Sequence, residues 1–235
     1  EEAGVPPGVL NIVSGYGHEA GAALGKHPDV DVISFTGSTE VGRLFMKYSG
    51  ESNLKGIALE MGGKSPFIVL DDAVINDDLV EHAANSAFWN AGQNCSANMR
   101  QIVAKTLVEE FTQAVVKRVS EYKVGDPLSL STDLGSMISE SHFRRVADYI
   151  ETGLREGAVP IPTGQPEVTG NFINPTIYTN VTRNMTIAKD EIFGPVLGIM
   201  SVDGIDEALS IAKDTEYGLH ATLFTQDIDR AIHIA

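Results

Sequence analysis

Cysteine is nearly missing: Cys95 is the one thiol in 235 residues. That excludes an intrachain disulfide and suits a reducing, cytoplasmic setting. Basic side chains are scarce, with 17 Lys and Arg against 32 Asp and Glu and a formal charge of −15. No basic cluster offers a stripe for a phosphate backbone, so nucleic acid is not an expected partner. The acidic excess favours solubility and identifies no substrate. No run approaches the roughly 18–20 apolar residues of a membrane-spanning helix, so no membrane partner is expected. The opening Glu1-Glu2-Ala3-Gly4 lacks the basic flank and apolar run of a signal peptide. Internal repeats and low-complexity stretches are also missing.

What is present is ordinary for a globular chain. Hydrophobic residues make up 43% and charged residues 21%, enough for one large or two modest domains. Glu1 to Gly4 reads as the last turn of a helix, with Gly4 as its stop. Asp227 to Ala235 reads as a helix without a C-terminal cap. Both ends are therefore expected to be interruptions of a longer polypeptide.

Strand and helix signals alternate through the first seventy or so residues. Val9–Val13 reads as a strand, residues 18–27 as a helix, Val30–Thr36 as a strand. A helix follows from Gly37 to about Tyr48, then strands at Lys55–Met61 and Pro66–Leu70. This is the pattern of a parallel sheet covered by helices, an α/β fold. Farther on, helices are predicted at Asp77–Asn90, Glu109–Tyr122, Ser139–Arg155 and Ile205–Lys213. Strands are predicted at Gln101–Ala104, Val196–Met200 and Ala221–Thr225, with Ala158–Asn174 as loop or short edge strands. The pair Gly62-Gly63 is a candidate boundary where one sheet gives way to another.

Four segments carry candidate chemistry. Phe35-Thr-Gly-Ser-Thr-Glu-Val-Gly42 runs from a strand through a small-residue turn into a helix. Its free N–H groups and helix dipole suit a phosphate, with Gly37 allowing close approach and Ser38 adding a donor. It reads equally as a plain helix N-cap. Leu59-Glu-Met-Gly-Gly-Lys-Ser-Pro66 puts Glu60 at a strand's C-terminal edge. A carboxylate held partly out of water there suits a general base; a solvent-facing strand end is the other reading. Gly92-Gln-Asn-Cys-Ser-Ala-Asn-Met-Arg100 sets Cys95 among polar neighbours after a helix stop. An exposed nucleophile and a small core residue both remain open. Lys189-Asp-Glu-Ile-Phe-Gly-Pro195 is a charged turn with one exposed aromatic before a strand.

Together, in this order and spacing, with Glu60 and Cys95 35 positions apart, the four segments resemble the NAD(P)-dependent aldehyde dehydrogenase superfamily over essentially the whole chain. The resemblance implies a modified Rossmann parallel sheet, here partial, followed by an α/β catalytic domain. Residues 1–62 would be the C-terminal part of the NAD(P)-binding domain, and 63–235 a C-terminally incomplete catalytic domain. Cys95 would attack the aldehyde to give a thiohemiacetal, with its backbone N–H holding the oxyanion. Glu60 would activate the water that hydrolyses the ensuing thioester. For NAD or NADP, Ser38 with its neighbours Gly37 and Gly42 would face the pyrophosphate, and Thr36, Met61 and Gly62 would lie near the nicotinamide. Glu191 would grip the nicotinamide ribose, with Phe193 packing close by. Gly17, His142 and Arg145 would make weaker cofactor contacts. No metal is implied.

The resemblance also implies a small-molecule aldehyde substrate and a homodimer or homotetramer for the full-length protein. Met99 departs from the small or polar residue usual there, which implies a local packing change. The side-chain amide of the oxyanion hole and the adenosine-ribose residues would lie upstream of Glu1. The oligomerisation strand would lie beyond Ala235, so the 235 residues alone are expected to have weak activity or none. Phe88, Trp89 and Asn94 hint at an aromatic-walled pocket. Two rival readings are an acyl transfer to coenzyme A, which Glu60 argues against, and an inactive or partial fragment with a binding or structural role.

Overall fold

A computed structural model of the chain describes residues 3–164 and 168–235. The backbone divides into two compact units, Glu1–Gly62 and Gly63–Ala235. Glu1 and Glu2, half of the predicted opening helix end, fall outside the described residues, as do 165–167 within the predicted loop.

In the first unit a π-helical turn, Gly17–Gly21, runs into α1 (Ala22–Lys26). Strand β1 (Val32–Thr36), helix α2 (Thr39–Glu51) and strand β2 (Gly56–Glu60) follow. The two strands pair in parallel, Val32 opposite Gly56 and Thr36 opposite Glu60. Phe45 of α2 is the unit's buried aromatic and meets Phe35 of β1 at 4.8 Å between ring centroids. The predicted strand at Val9–Val13 does not form. Gly8 turns the chain at φ +85°, and residues 9–13 are exposed and pair with neither strand. A β-prone run without a neighbouring ladder gains no hydrogen bonds from extension.

The second unit begins with β3 (Pro66–Val69), α3 (Asp77–Phe88), β4 (Arg100–Ala104) and α4 (Val108–Ser120). Next come α5 (Glu140–Arg155), β5 (Val159–Ile161), β6 (Thr176–Thr179) and α6 (Thr186–Lys189). It ends with β7 (Val196–Val202), α7 (Ile205–Lys213), β8 (Thr222–Phe224) and α8 (Ile228–Ile234). Six strands form one sheet in the order β5-β6-β7-β4-β3-β8, parallel except for the β5–β6 pair. The fold is α/β. Central strand β4 is buried at every position and β7 at all but Ser201, as expected for a parallel sheet covered on both faces.

Two cores lie on the two faces of this sheet. One gathers Phe67, Phe88, Phe111, Val115 and Leu197; the other gathers Ile102, Val146, Tyr178, Ile187 and Ile192. Helix α3 starts where Asn76 accepts from the Leu79 N–H at 2.9 Å and ends two residues before the predicted Asn90. Asn90, Ala91 and Gly92 then take left-handed φ values of 54°, 54° and 69°. Strand β6 and the short α6 had no separate signal in the sequence; Pro175 and Asn174 break the run ahead of β6. Phe88 is fully buried in the core, whereas Trp89 is 60% exposed, so the two do not form one aromatic wall. Replacing Phe88 by Ala is expected to cost about 3–5 kcal/mol. Trp89→Ala should stay within about 0.5 kcal/mol, as read from denaturant midpoints.

Candidate active site

In the first unit, the predicted cofactor residues gather at the C-terminal edge of the strand pair. Thr36 and Glu60 end their strands as register partners, and the Gly37 N–H donates to the Glu60 carbonyl at 3.0 Å. Ser38 is the N-cap of α2, its Oγ accepting from the Val41 N–H at 3.3 Å. The hydroxyl therefore caps the helix, while the N–H groups of the first turn have no acceptor within the helix and sit at its positive end. Gly42 stands where a Cβ would come 2.6 Å from Met61 Sδ, so its bareness lets Met61 lie against the helix. Gly17 opens the π-turn in open space, and among the described residues no hydrogen bond joins it to this group. Of the two readings open for Glu60, the solvent-facing strand end is the one seen: the residue is exposed, and β2 pairs with β1 alone among the described residues.

In the second unit, three chain segments lead into three adjacent parallel strands. Gly63–Ser65 leads into β3, Cys95–Met99 into β4 and Glu191–Pro195 into β7. Pairing β7-β4-β3 therefore sets the three segments side by side at the N-terminal edge of the sheet. Gly63 ties them. Its N–H donates to Glu191 Oε1 at 3.0 Å, and a Cβ on it would lie 2.5 Å from the Cys95 carbonyl oxygen. Gly62, its neighbour, ends the first unit.

Cys95 is half-buried. Asn94 Oδ1 accepts from the Ser96 N–H at 3.3 Å and the Ser96 hydroxyl at 3.2 Å, and lies 3.9 Å from Cys95 Sγ. Asn98 pins the loop's far end by donating to the Pro66 carbonyl at 3.2 Å and accepting from Thr222 at 3.2 Å. Met99 is buried; a Cβ on Gly92 would collide with its methyl and with the Gly194 carbonyl. The expected packing change is thus a methionine filling the space that the left-handed Gly92 leaves bare.

Phe193 is half-buried and left-handed, with φ +57°, so the aromatic is less exposed than its charged neighbours suggest. His142 Nε2 lies 2.6 Å from the Phe193 carbonyl oxygen, and Arg145 donates to the Glu191 carbonyl at 2.9 Å.

Sequence reasoning passed over Gly63, Gln93, Lys64 and Arg100. Gln93 Oε1 accepts from the Ile138 N–H at 2.8 Å and its Nε2 donates to Ser136, tying the thiol loop to the approach to α5. Arg100 is buried and donates to the carbonyls of Ile211, Ala212 and Lys64. It thereby closes the C-terminus of α7 and holds the Gly63–Ser65 segment. Lys64 is 3% exposed, and its Nζ has no hydrogen-bond partner among the described residues. Polar residues buried next to a strand that reads as apolar were the only sequence signal.

Both regions suit a dinucleotide on structural grounds. Among the described residues the Thr39 and Glu40 N–H groups beside the bare Gly37 have no acceptor, and the second carboxylate oxygen of Glu191 accepts no hydrogen bond. Among the described residues no cluster of His, Cys, Asp and Glu could hold a metal ion, and no helix is long and apolar enough to cross a membrane.

A sequence model of the Aldehyde dehydrogenase family matches residues 1–235. The chain belongs to that family. It is 47% identical to aldehyde dehydrogenase 1A1 of Homo sapiens, across 100% of this chain and 47% of that protein. It is 42% identical to aminoacetaldehyde dehydrogenase of Pseudomonas aeruginosa, across 100% of this chain and 47% of the relative. The chain thus spans about half the length of the curated relatives it matches. The fold is similar to a crystallised aldehyde dehydrogenase from Pseudomonas aeruginosa, with TM-score 0.95 and 40% identity over 99% of this chain and 48% of the other. It is equally similar to an indole-3-acetaldehyde dehydrogenase crystallised with NAD+, with TM-score 0.94 and 39% identity over 100% and 48%.

Lys64 generates a prediction. Burial, with the Arg100 charge nearby, pushes its pKa down from 10.5 to about 7, against the pull of Asp190 and Glu191. Between those two values the unfolded chain holds a proton that the folded chain lacks, so stability rises with pH. Below pH 7 the cost of the buried charge is present in full. Lys64→Met should therefore stabilise the protein at pH 6 by on the order of a few kcal/mol, with the gain shrinking by pH 9.5, as read from denaturant midpoints.

Proposed function

We propose that this chain is part of an enzyme that oxidises an aldehyde to a carboxylic acid with NAD+ or NADP+, using Cys95 as nucleophile and Glu60 as general base. The observation that carries the reading is Gly63, which joins the Cys95 loop to the Glu191 carboxylate within one unit. Family membership supports it. So do the relatives named as dehydrogenases of aldehydes, one of them crystallised with NAD+.

In this reading the Cys95 thiolate adds to the aldehyde carbon. A C–S bond forms, and the carbonyl π pair moves to oxygen. The Cys95 N–H, which has no acceptor among the described residues, donates to that oxyanion. Bound NAD(P)+ supplies the acceptor for the hydride whose loss turns the thiohemiacetal into a thioester. Glu191 would hold the nicotinamide ribose hydroxyls, with Phe193 beside it. The α2 N-terminus, with Gly37, Ser38 and Gly42, would receive the pyrophosphate, and Thr36, Met61 and Gly62 would serve the nicotinamide. Glu60, exposed to solvent, takes a proton from the water that attacks the thioester. The C–S bond breaks, and the thiolate leaves with the carboxylic acid as product. The whole protein would work in the cytoplasm, as does a relative named cytosolic aldehyde dehydrogenase from Rattus norvegicus, and as a homodimer or homotetramer.

The test uses the full-length protein. Cys95→Ala should lower aldehyde-dependent NAD(P)H production by at least about a thousandfold and abolish labelling by an electrophilic aldehyde analogue. Activity that survives Cys95→Ala would falsify the mechanism. For Glu60→Gln, stopped-flow absorbance should show a burst of about one NAD(P)H per site and then turnover slowed by roughly 10²–10⁴-fold. An unchanged steady-state rate removes Glu60 as the base. Release of an acyl-CoA in place of the acid redirects the reading to acyl transfer.

A further inference from the structure

Helix α5 presents three polar side chains in one row. His142, Arg145 and Tyr149 are spaced i, i+3, i+7 and so share one helix face. All three reach the segment that carries Glu191. The His142 ring donates from Nε2 to the Phe193 carbonyl at 2.6 Å. Arg145 donates to the Glu191 carbonyl at 2.9 Å, and the Tyr149 hydroxyl to the Asp190 carboxylate at 3.1 Å. Burial, with Asp190 nearby, raises the Tyr149 pKa, so its hydroxyl keeps the donating proton at neutral pH. Val146, on the same face, is fully buried and occupies the space beside Gly194, where a Cβ would lie 2.6 Å from it.

The grip falls on backbone under strain. Phe193 holds φ +57°, a conformation that a phenylalanine keeps only where its surroundings impose it. The His142 hydrogen bond falls on that residue's own carbonyl, and the two rings meet edge-on at 6.0 Å. The opposite side of the segment is also fixed. Gly63 donates to the Glu191 carboxylate, and a Cβ on Gly92 would come 2.5 Å from the Gly194 carbonyl oxygen. Residues 190–194 thus lie between α5 and the residues Gly63 and Gly92.

We propose that His142 and Arg145 are positioning residues whose clasp on the 190–194 backbone sets the Glu191 carboxylate for the cofactor's ribose hydroxyls. This rests on the dehydrogenase reading above. His142 commits its Nε2 to Phe193 and Arg145 reaches the Glu191 main chain, so both serve the cofactor through Glu191. Loss of one such bond lowers the population of the competent Glu191 geometry, and cofactor affinity falls with it.

Two readouts on the full-length protein test this. The first is hydrogen exchange of the peptide covering 190–194, without cofactor. The second is the equilibrium affinity for NADH by fluorescence, followed by steady-state KM and kcat. His142→Ala should speed exchange in that peptide and weaken NADH binding, each by about tenfold. KM for the oxidised cofactor should rise in proportion, with kcat at saturation roughly unchanged. His142→Gln, whose amide can donate to the same carbonyl, should restore both readouts. Arg145→Ala should move both in the same direction as His142→Ala.

Faster exchange with unchanged NADH affinity reduces the clasp to a structural role and overturns the proposal. Weaker affinity with unchanged exchange makes His142 a direct cofactor contact and overturns it too, as does a Gln variant that behaves like the Ala variant. A wild-type protein that binds no NADH overturns the dehydrogenase reading together with this one. Normal wild-type binding, matched by His142→Ala, overturns the clasp alone.

Discussion

Gly63 is the constraint on which the second unit's site depends. One backbone N–H holds the Glu191 carboxylate, and the missing side chain leaves room for the Cys95 carbonyl. Any larger residue would push the thiol loop off its strand approach or pull the N–H away from Glu191. Both contacts cross long stretches of chain, and neither survives a shift of about one ångström. The neighbouring residues carry the cost. Lys64, directly after Gly63, is buried with no hydrogen-bond partner for its ammonium among the described residues. Arg100 spends its donors on three carbonyls to hold the same segment. A buried amine without a hydrogen-bond partner is the kind of local inconsistency that natural folds tolerate at functional sites.

The candidate residues stand at opposite strand ends in the two units, each taken by itself. In the first, Thr36 and Glu60 stand at the C-terminal edge, where open α/β sheets ordinarily bind ligands. In the second, the thiol, Gly63 and Glu191 stand on the segments that approach the N-terminal edge of β4, β3 and β7. The adjacency of those strands supplies what a single loop could not, three rigid supports whose spacing is set by ladder hydrogen bonds. Helix α5 adds a fourth support from the side.

Much of this was legible in the sequence where the signal is local. Helix α7 was read to the residue, because Gly204 precedes its regular apolar spacing and the chain turns after Lys213. The alternation of strand and helix signals over the first seventy residues announced a parallel sheet, and the polar residues around Cys95 left a thiol outside the core as one of two readings. What escaped is non-local. Val9–Val13 has strand composition and no strand to pair with. Phe88 and Trp89 are adjacent in sequence, yet a turn of backbone separates a core ring from an exposed one. The clasp of His142 and Arg145, 51 and 46 positions from their acceptors, leaves no trace in spacing or composition. Glu60 carried its motif without carrying its surroundings, so the choice between a covered and a solvent-facing carboxylate stayed open in the sequence.

The strand order also fixes when the parts of the site can meet. β3 and β4 are neighbours joined through α3, so Gly63 and the Cys95 loop can come together after the closure of one short crossover. Glu191 reaches them only when β7 docks on the other side of β4, which closes a much longer loop at a greater entropic cost. During synthesis Gly63 and Cys95 therefore leave the ribosome well before the Glu191 carboxylate that the Gly63 N–H holds.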